Sequence, residues 1–166
     1  MVRAALLPVL WLGLLAIGAT PGCSTYRAPS ISIGQAELVS ETEEALRLDI
    51  ALDLANPNSE PLELIRFDYS VSIDGVSVYR GKRAAEATLS ASGGKRLVLP
   101  AVVRFDQVPW QASGRPAEAA WSIRGSLLYV TPGALAEILL DTGVRKPRAR
   151  FGGAGRVRLA GEAAVP

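Results

Sequence analysis

The strongest constraint on the fold is a strict alternation of apolar and polar residues between positions 46 and 55. Leucine or isoleucine stands at 46, 48, 50, 52 and 54, and Arg47, Asp49 and Asp53 stand among the residues between them. A β-strand places alternate side chains on opposite faces, whereas a helix would distribute the five apolar residues around its circumference. The segment therefore predicts a strand with one buried face and one solvated face.

A second alternating run and a turn signal extend this prediction to a hairpin. Apolar residues alternate with polar ones from 65 to 73, and Asp74-Gly75 then marks a tight turn into a return strand at 76–79, ended by Arg80-Gly81. Further strands are expected around 31–39, 87–91, 97–105, 121–129 and 157–159, and Pro100 marks 97–105 as an edge strand or a bulge. About seven short strands separated by turns predict an all-β, antiparallel sandwich.

One segment departs from the period of two. Residues 132–141 have a helical composition, with Thr131 as a candidate N-cap, Pro132 in the first turn and Gly143 as a stop signal. We therefore expect one short helix near 132–141 that caps an end of the sandwich.

The composition excludes several kinds of catalytic site. The chain contains no histidine and a single cysteine. It therefore has no Ser-His-Asp or Cys-His nucleophile system, no His-ligated metal, no intrachain disulfide and no CxxC pair. We predict no enzymatic activity, no cofactor and no metal.

The first 22 residues are typical of a secretory signal. Arg3 is the only charge before Cys23, the run at 4–17 is almost wholly apolar, and small residues follow it. A run of this length is shorter than the roughly 20 residues that span a bilayer. Residues 1–22 are therefore predicted to be a signal peptide rather than a retained anchor, and removing them lowers the formal charge from +2 to +1.

Cys23 is the best single candidate for a functional residue. The sequence Thr20-Pro21-Gly22-Cys23 resembles the lipobox of bacterial lipoproteins, although Thr20 and Pro21 depart from its usual residues. This resemblance implies lipidation of Cys23, a tether over 23–30, and, since Ser24 follows, an outer-membrane location facing the periplasm. The alternative is ordinary cleavage near Ala19, which would release a soluble periplasmic protein.

Asn56-Pro57-Asn58 ends the strongest predicted strand. By itself this tripeptide indicates only a turn, because Asn side chains bond the nearby backbone and Pro57 cannot pair in a ladder. Its order in the chain is more informative: Pro61-Leu62, the 67–73 strand, the Gly75 turn and Tyr79-Arg80-Gly81 follow it.

That order resembles the type 2 late embryogenesis abundant family, also called the water-stress and hypersensitive-response domain. The resemblance implies a sandwich of the fibronectin-III or immunoglobulin-like type over residues 31–162, and an association with desiccation and stress tolerance. It implies no catalytic residues, and Asn56, Pro57 and Asn58 are carried over as a structural signature only.

A basic stretch near the end of the chain is the main candidate for a contact surface. No acidic residue stands between Asp141 and Glu162, and the basic residues there are Arg145, Lys146, Arg148, Arg150, Arg156 and Arg158. One interpretation is contact with anionic lipids or an acidic partner, and the other is a solvated loop and strand face. Nucleic acid is not expected as a partner, because aromatic residues do not interleave with the basic ones.

The remaining candidate residues have simple structural explanations. Asp49, Asp53 and Asp68 are expected on solvated strand faces rather than in a paired-carboxylate or calcium site. Trp121 is expected in the core, and Trp110 is either a packed loop anchor or an exposed contact point.

Two functional hypotheses follow from these observations. The first is a membrane-anchored, non-catalytic, stress-protective module that contacts proteins or lipids. The second is a structural lipoprotein that binds specific partners in a cell-envelope assembly.

Overall fold

The structure is a computed structural model that describes residues 26–110, 114–132, 141–143 and 147–159. Seven strands form in these ranges, and a short 3-10 helix, Phe105–Gln107, follows the fifth. The strands are β1 (Ser30–Glu41), β2 (Ala45–Ala55), β3 (Leu62–Ile73), β4 (Val76–Leu89), β5 (Gly94–Arg104), β6 (Glu118–Val130) and β7 (Arg148–Arg158).

The strands form two antiparallel sheets that pack face to face. The three-stranded sheet has the order β1-β2-β5, and the four-stranded sheet has the order β4-β3-β6-β7. The chain crosses between the sheets at the β2–β3, β4–β5 and β5–β6 connections. This arrangement confirms the predicted all-β antiparallel sandwich.

The core lies where the alternation predicted it. In β2 the leucines and Ile50 are 0–2 % exposed, and the residues between them point outward. In β3 the inward side includes Phe67, Val71 and Ile73, all 0–1 % exposed. Each fully buried side chain of this size contributes roughly 1.5–3 kcal/mol relative to an exposed one, so these two central strands anchor the fold.

The prediction of two short strands at 76–79 and 87–91 was wrong, because one strand, β4, runs through both. Gly81 does not end it, since it pairs with Tyr69 of β3. A side chain at 81 would collide with the Tyr79 hydroxyl, which would lie 2.3 Å from the added Cβ. Further along, the register with β3 shifts at a bulge where Glu86 has a φ of 45°. Gly81 therefore allows a close packing contact rather than a turn.

The two long sides of the sandwich are closed differently. On the β4–β5 side, the Tyr69 hydroxyl donates to the Pro100 carbonyl (2.6 Å), and Arg83 donates to the Val98 carbonyl (2.7 Å). Pro100 lies in β5, which pairs only with β2 and is therefore an edge strand, as predicted. Burial raises the pKa of Tyr69, so its hydroxyl stays a donor in this bond.

On the β1–β7 side, the strands approach most closely at Ile33 and Gly153. A Cβ at position 153 would lie 2.6 Å from that of Ile33, so only glycine permits this crossing. The far ends of these two strands are joined by Arg115, which donates to the carboxylate of Glu41 in β1 and to the carbonyl of Leu159, the residue that follows β7.

Most of the predicted helix near 132–141, namely residues 133–140, lies outside the described residues, as do the signal peptide and Cys23. Among the residues that are described, no helix is long and apolar enough to cross a membrane.

We predict that Gly125→Ala destabilises the domain by about 2 kcal/mol, because overpacking a tight core site typically costs 1–3 kcal/mol. The added Cβ would lie 2.7 Å from the backbone carbonyl of Asp68 and 2.5 Å from the Phe151 ring. Chemical denaturation measures the change. The matched control is Gly152→Ala, whose Cβ meets nothing closer than 3.4 Å. Equal stability of the two variants would contradict the prediction.

Candidate functional site

The first polar feature of the sandwich is a buried asparagine at the β2–β3 crossover. Asn56 is 2 % exposed. Its Nδ2 donates to the carbonyls of Glu60 (2.7 Å) and Ser90 (3.1 Å), and its Oδ1 accepts from Asn58 N (3.1 Å) and Nδ2 (2.9 Å). Its backbone N–H donates to the Gly93 carbonyl (2.8 Å). The side chain thus uses both donors and both acceptor positions to join the β2–β3 and β4–β5 loops.

Asn58 continues this network to the segment that enters the domain. Its Oδ1 accepts from Arg27 N (2.9 Å), its Nδ2 donates to Arg27 O (2.8 Å), and its carbonyl accepts from Ser92 N (2.8 Å). We call the bonds of Asn56 and Asn58 the asparagine clasp. We call the end of the sandwich that holds the clasp, the start of β1 and the start of β7 the near end. Arg27 is thereby fixed at the near end.

The structure divides the basic stretch instead of bringing it together. Arg148 and Arg150 lie at the near end of β7, whereas Arg156 and Arg158 lie at its far end beside Glu118 (3.7 and 3.6 Å). Eight residues of strand separate Arg148 from Arg156, which is about 26 Å at 3.3 Å per residue. Arg145 and Lys146 lie outside the described residues.

Basic residues of four strands do come together on the outward side of the four-stranded sheet. Cross-strand pairing sets Arg80 and Arg124 on either side of Ser70, Lys82 opposite Asp68, and Arg150 opposite Ser126. We call this surface the cationic face; its basic residues are Arg66, Arg80, Lys82, Arg124, Arg148 and Arg150. Asp68 is the carboxylate that lies among these six cations, whereas Glu63 and Glu118 stand at outward positions at the two ends of the same sheet, Glu118 beside Arg156 and Arg158.

Asp68 organises the part of this face nearest the clasp. It accepts from Arg148 Nη1 (2.7 Å) and Arg66 Nε (3.1 Å), and Arg148 also donates to Ser126 Oγ (2.9 Å). The hydrogen bond from Arg148, supported by those from Arg66, lowers the pKa of Asp68 below its ordinary 3.8. The other four cations have no carboxylate within 4 Å among the described residues.

Serine hydroxyls lie between these cations. Ser70, Ser72, Ser122 and Arg124 line a shallow depression of about 280 Å³ next to Gly75. Hydroxyl and guanidinium groups donate hydrogen bonds to anionic oxygens, and bidentate Arg–phosphate pairs are among the strongest of these. The arrangement favours binding of anionic groups, and it contains no nucleophile paired with a base.

The outward side of the three-stranded sheet differs in both charge and polarity. Its ion pairs are balanced, with Arg96 on Asp53 (2.7 Å) and Arg47 on Asp49 (3.0 Å). Val98 and Val102 of β5 are 38 % and 45 % exposed there. Asp49 and Asp53 therefore lie on the opposite side of the sandwich from Asp68, and no three acidic or cysteine residues in the described ranges are grouped to hold a metal.

Both candidate tryptophans are buried. Trp110 packs on Phe105 and donates from Nε1 to Asp74 Oδ2 (3.2 Å), which makes it a packed loop anchor. Trp121 lies in the core at 3 % exposure, as expected, but its Nε1 has no hydrogen-bond partner among the described residues.

Sequence reasoning missed Arg66, Arg80, Lys82 and Arg124 as members of one surface. Each stands at an outward position of its own strand, but the alternation indicated exposure only for Arg66 and Arg124, because Arg80 and Lys82 lie beyond the predicted end of the return strand. Their assembly depends on the order β4-β3-β6-β7, which no local pattern specifies.

Comparison with known proteins decides the family. The sequence model of the late embryogenesis abundant family LEA_2 matches residues 51–141, which is more than half of the chain. The chain belongs to the type 2 late embryogenesis abundant family. Membership associates the chain with stress-related functions, and the family is generally non-enzymatic.

Solved structures show the same fold at low sequence identity. The Arabidopsis thaliana protein AT1g01470 is 14 % identical, with a TM-score of 0.60 over 78 % of this chain and 80 % of that one. The late embryogenesis abundant (LEA) protein At2g46140.1 is 13 % identical, with a TM-score of 0.61 over 80 % and 71 %. A protein from Archaeoglobus fulgidus is 12 % identical, with a TM-score of 0.50 over 81 % and 97 %. No curated protein matches the sequence.

We predict that Asn56→Ala destabilises the type 2 late embryogenesis abundant domain by about 3 kcal/mol, because it leaves buried carbonyls of two loops without donors. Asn58→Ala is the matched comparison. It should cost about 1 kcal/mol, since it removes more exposed bonds, and it should speed hydrogen exchange at the Arg27 amide. Denaturation and amide exchange measure these effects. An Asn56 variant no less stable than the Asn58 variant would refute the importance of the buried amide.

We also predict that Asp68 contributes to acid sensitivity. Its pKa is lowered in the folded state, so its contribution to stability is complete above the unfolded value near 4 and is lost as the pH falls through the folded value. Between about pH 5 and pH 2, the free energy of unfolding should therefore fall more in the wild type than in Asp68→Asn. Denaturant titrations across that range test this, and parallel pH dependences would contradict it.

Proposed function

We propose that this chain is a non-catalytic, stress-protective module, lipid-anchored through Cys23, whose cationic face binds the anionic headgroups of the membrane that holds it. The observation that carries the proposal is the concentration of six basic side chains around Asp68 on one side of the sandwich, four of them without a carboxylate within 4 Å among the described residues. The opposite side of the sandwich is balanced in charge, so the segregation belongs to one surface.

The asparagine clasp supports the choice of a lipid surface over a protein. Four residue steps separate Cys23 from Arg27, which is a reach of at most about 14 Å. Since Asn58 fixes Arg27 to the near end, an acylated Cys23 would hold that end close to the headgroups. Arg66, Arg148 and Arg150 lie in the half of the face that would be brought nearest.

The energetics of such contact are adequate for an anchored protein. A basic residue near an anionic membrane contributes about 1 kcal/mol, and this attraction falls off within a Debye length of about 8–10 Å. Four cations without a carboxylate partner are therefore sufficient to orient a domain that acyl chains already hold at the surface.

The same contacts explain how the module would protect. Drying and freezing withdraw water from phosphate headgroups, whose oxygens then lose hydrogen-bond donors. Arginine and serine side chains on a sheet face supply replacement donors in a fixed array. This mechanism needs no turnover, in keeping with a generally non-enzymatic family.

A second function is favoured by a different surface. Val98 and Val102 are exposed near Pro100 on β5, and they would suit a specific protein contact in an envelope assembly. A single partner crosslinked stoichiometrically to this side would support that function.

The test uses the lipidated protein in vesicles of phosphatidylglycerol and phosphatidylcholine, with dye leakage after freezing and thawing as the readout. The face variant carries Arg80→Gln, Lys82→Gln and Arg150→Gln. The control carries Arg47→Gln, Arg96→Gln and Arg104→Gln, which removes the same charge from the other sheet. We expect wild type and control to reduce leakage and the face variant to lose most of this effect.

Three outcomes would overturn the proposal. The first is protection by the face variant equal to that of the wild type, and the second is equal protection of purely zwitterionic vesicles. The third is unchanged fatty-acid labelling in cells of the Cys23→Ala variant, which would remove the anchor on which the geometry depends.

A further inference from the structure

A groove opens on the far half of the β1–β7 side. β1 and β7 cross in contact at Ile33 and Gly153, and a register shift between Ile33 and Ala36 then displaces β1. Beyond this crossing the two strands diverge and enclose a groove of about 690 Å³. Its walls include the small residues Gly34, Ala154 and Gly155, which permit close approach of another backbone, and its charged lining residues are Glu37, Glu118, Arg156 and Arg158.

Trp121 provides an unused hydrogen-bond donor at this groove. Its side chain is 97 % buried, lines the groove, and has no partner for Nε1. Gly155 stands opposite it on β7, and the position that a Cβ would take there is 3.1 Å from Nε1. Buried tryptophan N–H groups usually have a partner, and an unsatisfied one costs roughly 1–3 kcal/mol. The missing partner therefore points to a ligand with an acceptor oxygen.

The strand edges around the groove are also unsatisfied. β1 and β7 are edge strands, and an edge strand leaves alternate N–H and C=O groups unpaired. The other side of the sandwich covers its β5 edge with Tyr69, Arg83 and Pro100. On the β1–β7 side, Arg115 joins Glu41 to the Leu159 carbonyl at the far ends of the strands, and within the described ranges no backbone hydrogen bond pairs β1 with β7 along the groove.

We propose that this groove binds an extended, acidic peptide segment of a partner protein, which pairs with the free edge of β7 and places a backbone carbonyl on Nε1 of Trp121. Strand addition of this kind obtains affinity from main-chain hydrogen bonds. The volume lies within the range of ordinary binding sites. The proposal is independent of the lipid-binding face.

Positive charge on the β7 wall of the groove favours an acidic segment on that strand, while the facing β1 wall carries Glu37. Arg156 and Arg158 share one carboxylate, Glu118, at 3.7 and 3.6 Å, and their side chains are 77 % and 88 % exposed. A strand paired with β7 would place its side chains beside these arginines, where an acidic residue forms a favourable cross-strand pair.

The test uses the lipidated protein in detergent to select binders from a display library of short random peptides. The indole N–H signals of the ¹⁵N-labelled protein are then followed by NMR as each selected peptide is added. Trp121→Phe assigns the Trp121 signal, and the Trp110 indole, already bonded to Asp74, serves as the internal reference. We expect acidic peptides to be enriched and to move the Trp121 signal downfield while the Trp110 signal stays in place.

Gly155→Ala should weaken binding of the selected peptides by at least about tenfold, whereas Gly152→Ala, on the same strand outside the groove, should change it less than about twofold. Arg158→Ala should also weaken the binding of acidic peptides. Because Arg158 is exposed, this variant tests the proposal even if the Gly155→Ala variant fails to fold. The proposal fails if no peptide is enriched, if enriched peptides leave the Trp121 signal unmoved, or if that signal shifts with protein concentration alone, which would identify a second copy as the occupant.

Discussion

The buried amide of Asn56 joins the two loops that cross between the sheets at the near end. β2 belongs to one sheet and β3 to the other, and β4 and β5 cross back in the opposite direction. Asn56 bonds carbonyls in both crossover loops through one side chain and one backbone N–H. Hydrogen bonds of a fully satisfied buried amide fix the positions of the groups it joins. If the amide is removed, each buried group that it bonded is left unsatisfied at its full desolvation cost. Asn58, which bonds both Asn56 and Arg27, extends this junction to the point where the chain enters the domain.

The sequence predicts what is local and repetitive in this fold. Alternation identified β2 and β3 because each has one fully buried side. Asp74-Gly75 identified the turn that joins β3 to β4, where the two residues have φ values of 48° and 81°. It failed for β4, where Gly81 looks like a terminator but instead accommodates the Tyr79 ring. A glycine within a strand pattern can mark either the end of the strand or a close packing contact, and only the side chains packed around it distinguish the two.

The candidate surfaces were less predictable than the fold, because each is assembled from residues distant in sequence. The arginines near the end of the chain look like one patch in the sequence, but they lie at opposite ends of β7. Arg156 and Arg158 lie beside Glu118 at the far end. Arg80 and Arg124, 44 positions apart, flank the same serine because β3 lies between their strands. The unpartnered Trp121 N–H is not indicated by any local pattern, since the residue beside it on the adjacent strand, Gly155, is 34 positions away in the sequence.

β7 links the two surfaces and also keeps them apart. Its near half supplies Arg148 and Arg150 to the cationic face, and its far half supplies Gly155, Arg156 and Arg158 to the groove and its rim. Five residues from Arg150 to Gly155 span about 17 Å, which exceeds the Debye length at physiological salt. Charge neutralisation at the headgroups would therefore leave the rim arginines largely unaffected. Because the clasp sets the near end toward the anchor, the groove opens in the half of the domain that is farther from the anchored end, beside the facing edges of β1 and β7.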